Sequence, residues 1–214
     1  MKKLIKDNNI INYIKKNRKM IILTISLFLF ICITYAIFNN KIINLDEKVH
    51  SYILSIRNDN LTSILTIITN ISSAYALIVL SILILVIMKN KKIPLYISLN
   101  LICAFITNQI AKLIFLRPRP IGINLIEESG FSYPSGHAMV SMAYFGFIAY
   151  LLYKRPKNKL TKSTLIIILI LTILLIGFSR IYLGVHYLSD ILGGFLLSIV
   201  YLMIFIKTIK LEKK

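Results

Sequence analysis

The pattern Ser-Arg-x5-His-x3-Asp, from Ser179 and Arg180 to His186 and Asp190, is the most chemically loaded stretch of the sequence. His186 and Asp190 stand four apart, so on a helix they share a face. A carboxylate beside an imidazole fixes its tautomer and stabilises its charged form. Upstream, Pro134-Ser135-Gly136-His137 opens an apolar run. Ser135 suits a helix N-cap. The first N–H groups of such a helix point outward with partial positive charge and make an anion site. Gly136 lets a ligand approach the backbone closely. Further upstream, Lys112-x6-Arg119-Pro120 adds two cations around a Pro-broken turn. Lys112, Arg119 and Arg180, with helix N–H groups, fit a phosphate. The His–Asp pair fits a nucleophile and its orienter, and His137 a general acid for the leaving oxygen. The eight Asp and Glu residues are scattered, which leaves no carboxylate cluster for a two-metal site. The residues point to phosphoryl transfer that uses neither metal nor other cofactor.

The elements that must position these groups are transmembrane helices. Of 214 residues, 57% are hydrophobic and only 16% are charged, yet the net charge is +18. A nucleic-acid binder would be more polar, a disordered basic tail would be poor in Ile, Leu and Phe, and a soluble domain averages about 25% charged residues. What remains is an integral membrane protein whose charge sits in its loops and ends. Runs with few or no charges at 21–38, 73–88, 93–116, 136–153, 163–179 and 187–206 predict six spans. The first lacks the short core and cleavage site of a secretory signal. Residues 39–60, with apolar positions at spacings of three and four, predict an amphipathic helix lying at the interface. The expected organisation is all-α and polytopic. A basic segment at 1–20 precedes a six-helix membrane domain at 21–206, and a basic tail follows at 207–214. Most of the 26 basic residues fall in 1–20, 89–92, 154–162 and 207–214. The positive-inside rule then puts both termini in the cytoplasm and the three motifs at the outer face of the plasma membrane. The expected partners are the bilayer and a lipid phosphate, with no nucleic acid.

The strings K-x6-RP, PSGH and SR-x5-H-x3-D, present as Lys112–Pro120, Pro134–His137 and Ser179–Asp190, together resemble the type 2 phosphatidic acid phosphatase (PAP2) superfamily. The likeness covers roughly residues 40–206 and looks greatest to bacterial six-helix members of the phosphatidylglycerophosphatase B type. Gly136 stands where undecaprenyl-diphosphatase members often carry Asp, which weighs mildly against that branch. The resemblance implies a PAP2/acid phosphatase-like helical core and a membrane lipid phosphatase acting on a phosphomonoester or diphosphate headgroup. It implies that His186 forms a phosphohistidine, Asp190 orients it and His137 protonates the leaving alkoxide. Lys112, Arg119 and Arg180 would bind the phosphoryl oxygens, with Ser135 and the Gly136 backbone completing the pocket. An undecaprenyl-diphosphate phosphatase and a lipid phosphotransferase remain alternatives, and a non-catalytic lipid-binding transporter or scaffold stands last.

Other residues carry weaker signals. His50, without a partner motif, reads as a surface histidine, and Arg117 as a solvated loop arginine. Tyr182 and Tyr187 suit the membrane interface. Gly193-Gly194 predicts close helix packing. Cys32 and Cys103, both in apolar runs, read as buried thiols packed as small hydrophobes.

Overall fold

The computed structural model describes residues 2–154 and 158–209, with side chains from residue 16 onward. Of the expected basic segments, residues 155–157 and 210–214 and the side chains before residue 16 lie outside that description. The described residues form helices and loops without strands. In chain order the helices are α1 (Lys2–Phe38), α2 (Ile43–Ser55), α3 (Asp59–Asn70), α4 (Ala74–Ile87), α5 (Lys92–Phe115), α6 (Gly136–Lys154), α7 (Lys159–Tyr182) and α8 (Leu188–Thr208). Local chemistry sets several boundaries. Asn58 caps α3 by accepting from Leu61 N at 2.9 Å, and Asn158 caps α7 by accepting from Leu160 N at 3.0 Å. The α5 helix stops at Leu116, which takes a left-handed conformation with φ 51°. Arg117-Pro118 follows, and proline cannot continue the ladder.

Five helices are long and apolar enough to cross a membrane: the Lys16–Phe38 part of α1, then α5, α6, α7 and α8. The span expected at 73–88 differs. There α4 has only 14 residues, about 21 Å of rise against a hydrocarbon core of about 30 Å. It crosses only together with α3, from which it is bent by 49°, and that bent pair is the sixth span when counted as one. The apolar run 61–88 is therefore a broken helix, its break at Ile71–Ser73 closed by reverse-turn hydrogen bonds. The first span also differs in extent, because α1 continues unbroken back to Lys2 through the segment expected as a separate basic arm.

Helix α6 sits at the centre, packed on α5, α7 and α8; α1 lies against α8, α3 against α7 and α4 against α5. Ala138, Met139, Ala143, Tyr144 and Phe147 bury most of α6. Outward, large apolar side chains such as Phe28, Val86, Ile102 and Leu174 are exposed, the surface a bilayer covers. Cys32 is exposed on that surface and Cys103 half-buried, so neither is the buried thiol expected from the sequence. Inside, polar ties replace the hydrophobic drive that lipid removes. Ser81 Oγ donates to Tyr144 Oη at 3.0 Å, and Asn100 Nδ2 to the Ala143 carbonyl at 2.9 Å.

The Gly193-Gly194 pair lets α8 come against the 131–138 segment. A Cβ on Gly194 would lie 2.9 Å from the Ser135 carbonyl oxygen, and one on Gly193 would lie 2.6 Å from Tyr133 Oη. That approach sets the start of α6 beside the start of α8, and thus the second motif beside the third. Gly193→Ala forces the Tyr133 ring aside, an overpacking cost of about 1–3 kcal/mol. It should lower Tm by several degrees in detergent micelles, measured by differential scanning fluorimetry; an unchanged Tm would mean that the contact does not constrain α8.

Candidate active site

The C-termini of α5 and α7 and the N-termini of α6 and α8 meet at one end of the bundle, and the three motifs meet with them. His186 lies in the short link between α7 and α8, 1% exposed, and Asp190 stands in the first turn of α8, fully buried. Their expected pairing exists, but not as a direct hydrogen bond. His186 Nδ1 is 3.5 Å from Asp190 Oδ2, and Ser132 Oγ sits between them, 3.2 Å from Nδ1 and donating to Oδ2. The same Oδ2 accepts from Tyr187 N at 2.8 Å, so Asp190 also caps its own helix. On the other ring edge, Arg119 Nη1 lies 3.2 Å from His186 Nε2. A guanidinium only donates, so Nε2 is the acceptor and Nδ1 carries the proton. His186 and Arg119 both line the cleft. Burial is the main cause that pushes the His186 imidazole down to about 4; Asp190 opposes the shift, and Arg119 and Arg180 add to it. The ring is therefore neutral near pH 7, as attack by a nitrogen lone pair requires.

The three expected cations converge on one short segment. Lys112, in the last turn of α5, donates to the Phe131 carbonyl. Arg119 donates to the carbonyls of Ser129 and Gly130, each at 3.0 Å, and to that of Val185 at 2.9 Å. Arg180, 1% exposed, donates to Glu128 Oε1 and to Thr69 Oγ1, the latter at 3.0 Å. Glu128 Oε2 is also 3.7 Å from Arg119 Nη2. Residues 128–131 thus offer the cations a carboxylate and a row of carbonyl oxygens. Ser135 is fully buried, its hydroxyl 3.5 Å from Ala138 N and its own N–H on the Asp190 carbonyl. A Cβ on Gly136 would fall 3.0 Å from Asn108 Oδ1. His137 and Gly136 line the same cleft as Lys112, Arg119, Glu128 and His186, a space of about 640 Å³.

The PAP2 superfamily model matches residues 93–214. Phosphatidylglycerophosphatase B of Bacillus subtilis strain 168 is 35% identical over 181 residues, covering 82% of this chain and 89% of that protein. The chain belongs to the PAP2 superfamily. The resemblance drawn from the three motifs is borne out, and with it the reading as a multi-pass, all-helical membrane phosphatase. The crystal structure of a transmembrane PAP2-type phosphatidylglycerolphosphate phosphatase from Bacillus subtilis superposes with a TM-score of 0.80 at 29% identity, covering 89% of this chain and 98% of that one. Undecaprenyl-diphosphatase BcrC of Bacillus subtilis strain 168 is 32% identical over 153 residues, 69% of this chain and 74% of that protein.

Several residues around this PAP2 site depart from the sequence reading. Arg117 is no solvated loop arginine: it is held between Asp190 Oδ1 at 2.6 Å and Asp46 Oδ2 at 2.9 Å. His50 is buried rather than on the surface, its Nε2 3.3 Å from the His186 carbonyl. The helix expected to lie along the interface turns Asp46, His50 and Ile53 inward against α7 and α8. Tyr182 is fully buried, with Asn58 N donating to its hydroxyl at 3.0 Å, whereas Tyr187 covers Arg117 with its ring 4.4 Å from the guanidinium carbon. Ser132, Asp46, His50 and Glu128 went unnamed as site residues because they meet His186, Asp190, Ser189, Arg117 and Arg180 across 52 to 143 positions of chain. The spacing 46, 50, 53 places a carboxylate and an imidazole on one helical face and was the available signal.

Glu128 occupies cations that a phosphate would also seek. In Glu128→Gln the competing charge is gone. Inorganic phosphate should then inhibit the purified enzyme several-fold more tightly, measured as its inhibition constant; an unchanged constant would show that the carboxylate does not compete.

Proposed function

We propose that this PAP2 membrane phosphatase hydrolyses the phosphate headgroup of a membrane lipid of the phosphatidylglycerophosphate or phosphatidic acid type, by way of a phosphohistidine on His186. One observation carries the reading. The cleft that holds His186, His137, Lys112 and Arg119 at its polar end is walled by Leu77, Ile78, Leu101, Ile102 and Phe105 of α4 and α5 along the rest of its length. Ile78, Ile102 and Phe105 are about half exposed on the lipid-facing side. A ligand that fills such a space has an anionic head and an apolar tail.

In the first step His186 Nε2 attacks phosphorus. The N–P bond forms as the P–O bond to the lipid breaks, and His137 gives its proton to the leaving alkoxide oxygen. Asp190, acting through Ser132, keeps the Nδ1 proton in place and stabilises the positive ring. Lys112, Arg119 and Arg180 exchange Glu128 and the loop carbonyls for the phosphoryl oxygens, whose charge spreads in the transition state. In the second step His137, now a base, takes a proton from water; the water oxygen attacks phosphorus and the N–P bond breaks, releasing phosphate. The Ser135 cap and the Gly136 N–H close the anion pocket at the start of α6. Lys89, Lys91, Lys92, Lys154, Lys159, Lys162 and Lys207 lie at the opposite end of the bundle. This supports termini in the cytoplasm and a site at the outer face of the plasma membrane. Undecaprenyl diphosphate is the second reading, favoured by the 32% identity to an undecaprenyl-diphosphatase.

Purified protein in detergent should release phosphate from short-chain phosphatidylglycerophosphate, phosphatidic acid or a short polyprenyl diphosphate with EDTA present, and the order of kcat/KM among the three assigns the substrate. In His186→Ala, release should fall by ~10³-fold or more, and acid-labile ³²P should no longer be trapped on the protein. Full activity in that variant, or loss of activity on chelation, would overturn the mechanism. Nuclear magnetic resonance of ¹³C-histidine-labelled enzyme should show the His186 imidazole titrating near pH 4 instead of at the ordinary value of about 6.5. A midpoint at the ordinary value would contradict the dry, cation-lined seat.

A further inference from the structure

Arg117, Asp46 and Asp190 make a buried carboxylate–guanidinium–carboxylate array behind the imidazole. Arg117 Nη1 is 2.6 Å from Asp190 Oδ1 and its Nη2 is 2.9 Å from Asp46 Oδ2. Asp46 is in turn fixed by α8: Ser189 N donates to its Oδ1 at 3.0 Å and Ser189 Oγ to its Oδ2. Arg117 Nη1 also lies 2.7 Å from Ser189 Oγ. Both carboxylates are within 1% of complete burial, and the array is built from α2, the loop after α5, and α8. One more contact from α2 reaches the same place, His50 Nε2 at 3.3 Å from the His186 carbonyl oxygen.

The charges of this array have a consequence for the imidazole. A guanidinium fork on Asp190 alone would hold the carboxylate rigidly, but it would also cancel the negative charge that stabilises a positive ring. The second carboxylate restores it: two negative groups and one positive leave a net charge of −1, the same as a lone Asp190. Rigid placement and retained charge are thereby obtained together where both carboxylates are buried.

We propose that Arg117 and Asp46 are positioning residues for the phosphoryl-transfer step, Arg117 locking the rotamer of Asp190 and Asp46 offsetting the charge of Arg117 so that Asp190 still acts on His186. This rests on the reading of His186 as the nucleophile and adds α2, outside the three motifs, to the machinery. The other charged and titratable groups facing His186 are Arg119 and Glu128 of the 117–135 loop, Lys112 of α5, His137 of α6, Arg180 of α7, and His50 of α2. None of them is altered in the variants below, so shifts between variants report the array.

The test compares Arg117→Gln, Asp46→Asn and the double variant in detergent, reading kcat, KM and the His186 titration midpoint by ¹³C-histidine resonance. Arg117→Gln leaves two uncompensated carboxylates, and the midpoint should rise by about one pH unit. Asp46→Asn leaves the array neutral, and the midpoint should not rise. The double variant keeps only Asp190, so its midpoint should return close to the wild-type value. Each single variant should lose about tenfold to a hundredfold in kcat with little change in KM, and the losses should not multiply in the double variant, because the two residues act through one group. An unshifted midpoint in Arg117→Gln, a rise as large in the double variant, or wild-type kcat in both single variants would overturn the proposal. Should Arg117→Gln fail to fold, Asp46→Asn and the double variant decide: wild-type kcat in Asp46→Asn, or a double-variant midpoint well away from the wild-type value, refutes the array. The titration needs no turnover, so it is read even if an active His186→Ala were to remove the nucleophile reading.

Discussion

A carboxylate buried at the start of a helix, inside a bundle that lipid surrounds, is the constraint around which this site is arranged. Asp190 is fully buried, so its carboxylate must meet donors from the protein. Those donors come from separate parts of the chain: Arg117 after α5, Ser132 before α6, and the Tyr187 N–H at the start of α8. Satisfying one charge therefore brings together the loop that carries Arg119, the turn that carries Ser135 and Gly136, and the link that carries His186. The polar end of the cleft is a product of that convergence.

The same need for compensation explains the cations. Lys112, Arg119 and Arg180 lie in a largely buried space, where they meet the carbonyl oxygens of 129–131 and the carboxylate of Glu128. The loop is thus a built-in anion surrogate. The apolar flank of α4 and α5 continues the same cleft away from these cations.

The fold was legible in the sequence wherever its cause was local. Apolar runs of about twenty residues marked α1, α5, α6, α7 and α8, because a bilayer imposes length directly on composition. The same rule misplaced the second span, since α3 and α4 form one apolar run whose break at 71–73 carries no proline or glycine. In the site, the three motifs named Lys112, Arg119, His137, Arg180, His186 and Asp190, which all lie at one end of the bundle. Arg117 and His50 were misjudged for a shared reason. A charged or polar residue outside a recognised motif reads as solvent-facing unless its partner is known, and Asp46 and the His186 carbonyl lie far along the chain.

The sequence alone determined that this chain is a helical membrane protein, that it carries the chemical groups of phosphoryl transfer, and that it resembles the PAP2 superfamily. Composition, run length and residue spacing act over a few turns of helix, and each can be read without coordinates. Only the tertiary structure decided that Ser132 stands between His186 and Asp190, that Glu128 meets Arg119 and Arg180, and that Asp46 on α2 meets Arg117 behind Asp190. Those contacts join residues far apart in the chain. They are set by which helix faces pack together, and a buried charge takes whichever donor or acceptor that packing delivers.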